Sequence, residues 1–336
     1  MYRSFFGLRE RPFDLTPNPK FLVLTEAHSE ALSMLEYGIA SRKGITLLLG
    51  EAGTGKTTLI RAAAGRQPDR VHCVHLQNPA LTRPEFVEML ANHFELTAEA
   101  RSSKSAMLRE LEALLTERHR NGEATILIVD EAQTIALELL EEIRLLANFE
   151  TDETKLLSVV LAGQPELAAR LNADSLRQLK QRIALRCELP RLTELETFAY
   201  VAGRVRAAGG VGAQVFTREA VMLLHQRSGG IPRTVSVIAD NALLTAFALG
   251  KKPVTTAIVQ EVCRDLDLQG SNPAGVRETS ADVGGAPEAR TSRPDRVLAM
   301  DTPTVEPVAN DQTADAEAEP TMLGAASRKR RRFSFF

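Results

Sequence analysis

The stretch Gly50-Glu51-Ala52-Gly53-Thr54-Gly55-Lys56-Thr57 constrains this chain more than any other. The apolar run 45–49 precedes it and Thr58-Leu59-Ile60-Arg61-Ala62-Ala63 follows, so a buried strand leads in and a helix leads out. A loop of the form G-x-x-x-x-G-K-[ST] in that setting is built to hold phosphates. Glycines at 50, 53 and 55 let the backbone turn tightly and bring its N–H groups close to phosphate oxygens. The candidate nucleotide-binding residues are therefore Gly50, Ala52, Gly53, Thr54, Gly55, Lys56, Thr57 and Thr58. The helix opening near Lys56 adds the positive end of its dipole. Lys56 brings a charge for the β/γ-phosphates, and the Thr57 hydroxyl is suited to ligate Mg²⁺. Such a chain is expected to bind a nucleoside triphosphate.

A second segment completes the chemistry. Ile126-Leu127-Ile128-Val129 reads as a strand buried on both faces, and it delivers Asp130 and Glu131 to its carboxyl end. Asp130 is the candidate to hold Mg²⁺ through water, and Glu131 the candidate general base that polarises the attacking water. An acidic pair favours hydrolysis over simple phosphoryl transfer, which must exclude water. Gln164 follows the strand-like run 156–162 and is placed to touch the γ-phosphate or orient the water; a plain turn opening a helix is the other reading. Arg182 lies near the sheet edge with Lys180 and Arg186, where one arginine reaching a neighbour's nucleotide would stabilise transition-state charge. It serves equally well as a solvated surface group. Arg233, after Gly230-Ile231-Pro232, falls in the first turn of a helix and is a candidate to swing onto the phosphates, with ordinary surface placement as the alternative.

Strand-like runs at 70–76, 124–129, 156–162 and 184–189 join 45–49 to make five strands separated by helical segments, the pattern of a parallel α/β sheet. Residues 1–24 combine Phe5, Phe6, Phe13 and Phe21 with Pro12, Pro17 and Pro19. The prolines predict an irregular segment and the aromatics predict that it packs on the core. Its position before the loop suggests a wall for the nucleotide base, with plain packing as the alternative. A helix is expected over 26–41, and others over 84–93, 105–121 and 136–149. From 192 to 268 the apolar spacing is helical throughout, with a capping-box pattern at Thr193 and Glu196, which predicts a small all-helical domain. The expected domains are thus 1–191, 192–268 and a tail over 269–336. Residues 270–327, rich in Ala, Pro, Gly, Thr, Asp and Glu, are expected to be disordered.

The chain's 336 residues carry a net charge of -2, so bulk electrostatics argue against a nucleic-acid binder. Cys73, Cys187 and Cys263 are far apart, which predicts buried reduced thiols in a cytosolic setting. No segment has the length or apolarity of a secretory signal core or a membrane-spanning helix.

The combination GEAGTGKTTL, VDEAQ, LEEIRLLANFET, LAGQPEL, LKQR and SGGIPR resembles the ExeA/GspA-type branch of the AAA+ ATPases. That branch is found with bacterial type II secretion, pilus-assembly and exopolysaccharide export systems. The resemblance covers roughly residues 1–268, and the DEAQ and GQPEL segments are its specific part. It implies AAA+ roles for Lys56, Thr57, Asp130 and Glu131, with Gln164 as sensor 1, Arg233 as sensor 2 and Arg182 as the finger acting in trans. It also implies ATP and Mg²⁺ as cofactors, nucleotide held between sheet domain and helical lid, and a homo-oligomeric ring, expected to be a hexamer. Longer members continue into a membrane-spanning helix and a peptidoglycan-binding domain, and these 336 residues match the shorter kind linked to pili or exopolysaccharide export. Transposition ATPases of the TniB type share the same core, so an ATP-gated DNA-binding protein is the alternative. The terminal run 328–336, Arg-Lys-Arg-Arg-Arg-Phe-Ser-Phe-Phe, reads either as a peripheral contact with the anionic inner membrane or as an inert solvated end.

Overall fold

In the computed structural model the chain enters through a short helix, α1 (Tyr2–Phe6), closed by Gly7 in the left-handed conformation. The structure describes residues 1–16, 19–76 and 81–268. The expected irregular course of residues 1–24 is corrected here, because the prolines that forbid a helix start only at Pro12. The aromatics do pack inward: Tyr2, Phe6, Phe13 and Phe21 are all buried. Helix α2 (Glu26–Ala40) follows, its Thr25 cap accepting the His28 N–H, and buries Ala31, Leu32, Leu35 and Ile39 on one face.

Five parallel strands come next, with helices between them. They are β1 (Ile45–Gly50), β2 (Val71–Leu76), β3 (Ala124–Val129), β4 (Leu157–Gly163) and β5 (Ile183–Leu189), in the spatial order β2-β3-β4-β1-β5. The three central strands are the three most continuously apolar ones, and every residue of β1 and β4 is buried, as a sheet covered on both faces requires. The edge strand β5 alternates instead. Side-chain alternation assigns Leu48 to one face with α2 and α3 (Lys56–Gly65), and Leu47 and Leu49 to the other. That second face is covered by α4 (Arg83–His93), α5 (Ala98–Ser102), α6 (Lys104–Arg120), α7 (Leu137–Leu146), α8 (Pro165–Leu171) and α9 (Arg177–Gln181). The short α5 has no counterpart in the expected elements. Registers Leu49↔Gly163, Gly50↔Leu189 and Val129↔Leu161 bring the carboxyl ends of β1, β3, β4 and β5 to one rim.

Five helices form the lid: α10 (Glu194–Ala207), α11 (Gly212–Val215), α12 (Arg218–Ser228), α13 (Pro232–Ala248) and α14 (Thr256–Asp265). Their core of Val201, Val205, Leu224, Ile238, Leu243 and Val259 also takes in Tyr2, Phe6, Leu8, Phe13 and Phe21. The amino-terminal aromatics are thus part of the lid's core, at about 1.5–3 kcal/mol for each large apolar side chain buried. Cys187 and Cys263 are buried and Cys73 is exposed on edge strand β2, which corrects the expectation of three buried thiols. Burial pushes the Cys187 thiol up to about 11. No helix among the described residues is long and apolar enough to cross a membrane. The tail expectations for 269–336, including the 328–336 run, fall outside the described residues.

Candidate nucleotide site

The loop between β1 and α3 holds its shape through two glycines in the left-handed region, Gly53 at φ 82° and Gly55 at φ 104°. A Cβ on Gly50 would lie 2.7 Å from the Thr54 hydroxyl and 3.1 Å from the Leu189 carbonyl oxygen, so only glycine fits there. The Thr54 hydroxyl closes the turn by donating to the Glu51 carbonyl at 2.9 Å. Lys56 is buried, its Nζ donating to the carbonyls of Gly50 (2.8 Å) and Glu51 (3.0 Å). Burial holds the Lys56 ammonium below the usual lysine range, and the facing Glu131, Asp130 and Glu166 pull it back up. Ala52 is exposed at the loop tip, and Thr58 lines the cavity over the loop.

Thr57 and Asp130 meet across the rim, the Thr57 hydroxyl donating to Asp130 Oδ2 at 2.5 Å. An alcohol and a buried carboxylate side by side are hard oxygen donors, which fit a Mg²⁺ that takes its other ligands from water and phosphates. Glu131 follows in the left-handed region at φ 52°, its N–H donating to Asp130 Oδ1 at 2.9 Å. Its carboxylate faces the same cavity and accepts from Gln133 Nε2 at 2.6 Å and from Gln164 Nε2 at 3.4 Å. Gln164 caps α8 at the carboxyl end of β4, so its side chain meets Glu131 directly.

The lid closes the other side. Arg233 N–H donates to the Gly53 carbonyl at 3.1 Å, and a Cβ on Gly53 would sit 2.7 Å from Arg233 Cβ. The first turn of α13 therefore rests on the phosphate loop. Between them lies a cavity of about 390 Å³, within the range of ligand pockets, lined from loop, lid and the amino-terminal segment at 14–16 and 21–23. Arg182 is elsewhere. It is exposed just before β5, whose far end pairs with Gly50, so at about 3.3 Å per residue it stands roughly 20 Å from its own loop.

Four residues at this site escaped the motif reading. His28 is buried, its Nε2 3.1 Å from the Thr54 carbonyl, so that ring nitrogen carries the proton and donates. Arg204 lies within 6 Å of the rings of Phe13, Phe21 and Tyr200 and donates to the carbonyls of Pro12 and Asp14. Arg191 forks onto Glu51 of the loop, both bonds at 2.7 Å. Gln133 is the fourth. Only Gln133 carried a local signal, being two residues from Glu131 in the DEAQ segment.

A parallel sheet with a phosphate loop on an inner strand, an acidic pair on the next strand but one and a helical lid on top defines an AAA-type nucleotide-binding protein. Residues 39–171 match the family model described as an AAA domain. The chain is 40% identical over 278 residues to General secretion pathway protein A of Aeromonas hydrophila, covering 83% of this chain and 49% of that protein. It belongs to the General secretion pathway protein A-like AAA+ family, and spans about half the length of that relative. Membership of the AAA family carries nucleotide binding with it.

Solved structures agree on the fold. ORC2 of Aeropyrum pernix, in its ADPNP–ADP complexes, superposes with a TM-score of 0.57 at 19% identity, over 76% of this chain and 71% of that one. The Drosophila ORC bound to DNA gives 0.58 at 21%, over 79% and 66%.

Proposed function

We propose that this chain binds and hydrolyses Mg-ATP between sheet and lid, and that a homo-oligomeric ring uses the cycle to drive or regulate assembly of a bacterial envelope export system. The observation that carries the hydrolase reading is the convergence of Lys56, the Thr57–Asp130 pair and Glu131 on one rim beneath Arg233. In this reading the loop N–H groups and Lys56 hold the phosphates, Thr57 and Asp130 hold the metal, and Glu131 takes the proton from the attacking water. Bound Mg²⁺ supplies neutralisation of the charge on the β- and γ-phosphates. Arg233 contacts the phosphates from the lid. Arg182 completes a neighbouring subunit's site, which its distance from its own loop supports. The export assignment rests on the kinship to General secretion pathway protein A.

Fluorescent-nucleotide titration beside phosphate-release assays tests the reading. Glu131→Gln is expected to bind Mg-ATP as the wild type does while turnover falls about a hundredfold or more, within the range for loss of a general base. Lys56→Ala is expected to lose binding by about tenfold to a hundredfold, the weight of a charge-assisted hydrogen bond. Equal turnover in wild type and Glu131→Gln would refute the assigned base.

A further inference from the structure

Gln133 bridges two elements that the proposed chemistry must keep in register. Its amide orientation is determined by its partners. Oε1 accepts the Gln164 backbone N–H at 3.0 Å, and Nε2 donates to Glu131 Oε2 at 2.6 Å. Turning the amide over would set donor against donor and oxygen against carboxylate.

The mount of this side chain is itself held. Arg170 of α8 donates to the Gln133 carbonyl at 2.5 Å and to the Ile135 carbonyl at 2.7 Å. Space for the bridge comes from Gly163, where a Cβ would lie 3.0 Å from Gln133 Oε1 and 2.7 Å from Leu167 Cδ2. Glu131 needs such support, because its backbone sits in the sparsely populated left-handed region. Gln164's own amide, at 3.4 Å, is the looser of the two contacts.

We propose that Gln133 is a positioning residue, which fixes Glu131 for water activation and ties it to the turn after β4. It engages Oε2 and leaves Oε1 free to meet a water in the cavity. A shift of the Gln164 backbone is thereby passed through one side chain to the general base. The inference rests on the hydrolase reading above, with Glu131 as its base.

The test compares wild type, Gln133→Ala and the isosteric Gln133→Glu by steady-state Mg-ATP hydrolysis, fluorescent-nucleotide affinity and thermal melting. Gln133→Glu keeps the acceptor for the Gln164 N–H and removes the donor to Glu131. Gln133→Ala is expected to melt with the wild type and keep its KM and nucleotide affinity, while kcat falls by about tenfold to a hundredfold, the scale of a misplaced catalytic group. Gln133→Glu, which sets a second carboxylate against Glu131, is expected to lose kcat at least as far. Wild-type or raised kcat in either variant would overturn the proposal. So would a loss shared by kcat, affinity and melting temperature in Gln133→Ala, which marks a structural role. A wild type that binds Mg-ATP without turning it over would instead overturn the hydrolase reading, and the positioning role with it.

Discussion

At the residue scale, the site divides into groups that announce themselves and groups that do not. Lys56 and Thr57 sit in a motif whose spacing predicts phosphate binding, Asp130 and Glu131 form an acidic pair that is readable only beside that motif, and the structure brings all four to one rim. His28, Arg204 and Arg191 act across sequence separations of 26, 192 and 140 residues, and no local pattern marks them. Gly53 shows how close the lid comes: it needs φ 82°, and its missing Cβ leaves room for Arg233. Gly53→Ala is expected to cost about 1–2 kcal/mol in backbone strain alone, which weakens nucleotide binding about fivefold to thirtyfold where binding needs the loop in this conformation. Isothermal titration would check this, and an unchanged affinity would mean that the lid yields freely.

At the element scale, long periodic segments were readable and short ones were not. The strands and most of the longer helices lie within a residue or two of their predicted ends, because burial pattern and caps agree there, whereas α7 stops at Leu146, three residues short of the expected 149. Helices α1 and α5 have five residues each, too few for a periodicity to register. The capping box of α10 was visible as Thr193 and Glu196, and it forms: Glu196 Oε2 accepts the Thr193 N–H at 2.8 Å, and Thr193 Oγ1 accepts the Glu196 N–H. Thr193→Ala is expected to destabilise the protein by about 1 kcal/mol in urea unfolding at neutral pH. The Glu196 carboxyl is held below its ordinary 4.5, first by the Thr193 backbone N–H. Its folded pKa is depressed, so this contribution is fully present above about 4.5 and is lost as pH falls through the folded value. Alanine keeps that N–H, but it loses the Thr193 hydroxyl's own bond to Glu196 Oε2 at 2.9 Å, so this share of the Thr193→Ala penalty should shrink in acid, and a penalty that stays constant down to pH 3 would contradict the assignment.

At the scale of the whole molecule, the fold class was legible because five strand-like runs separated by helices admit few arrangements besides a parallel sheet. The assignment of the amino-terminal segment was not. Its aromatics signalled burial without naming a partner, and the partner is the lid core. Because Arg204 of α10 holds the carbonyls of Pro12 and Asp14, the segment bordering the cavity belongs with the lid, while the phosphate loop belongs with the sheet. The proposed nucleotide would thus join two bodies, and Arg182, roughly 20 Å from its own loop by strand rise, would join two subunits.

The most direct test is steady-state Mg-ATP hydrolysis across a protein-concentration series for wild type, Glu131→Gln and Arg182→Ala. Wild-type activity per subunit is expected to rise with concentration, and both variants are expected to stay inactive at every concentration while binding nucleotide. Wild-type protein that binds Mg-ATP and shows no turnover at any concentration would contradict this expectation.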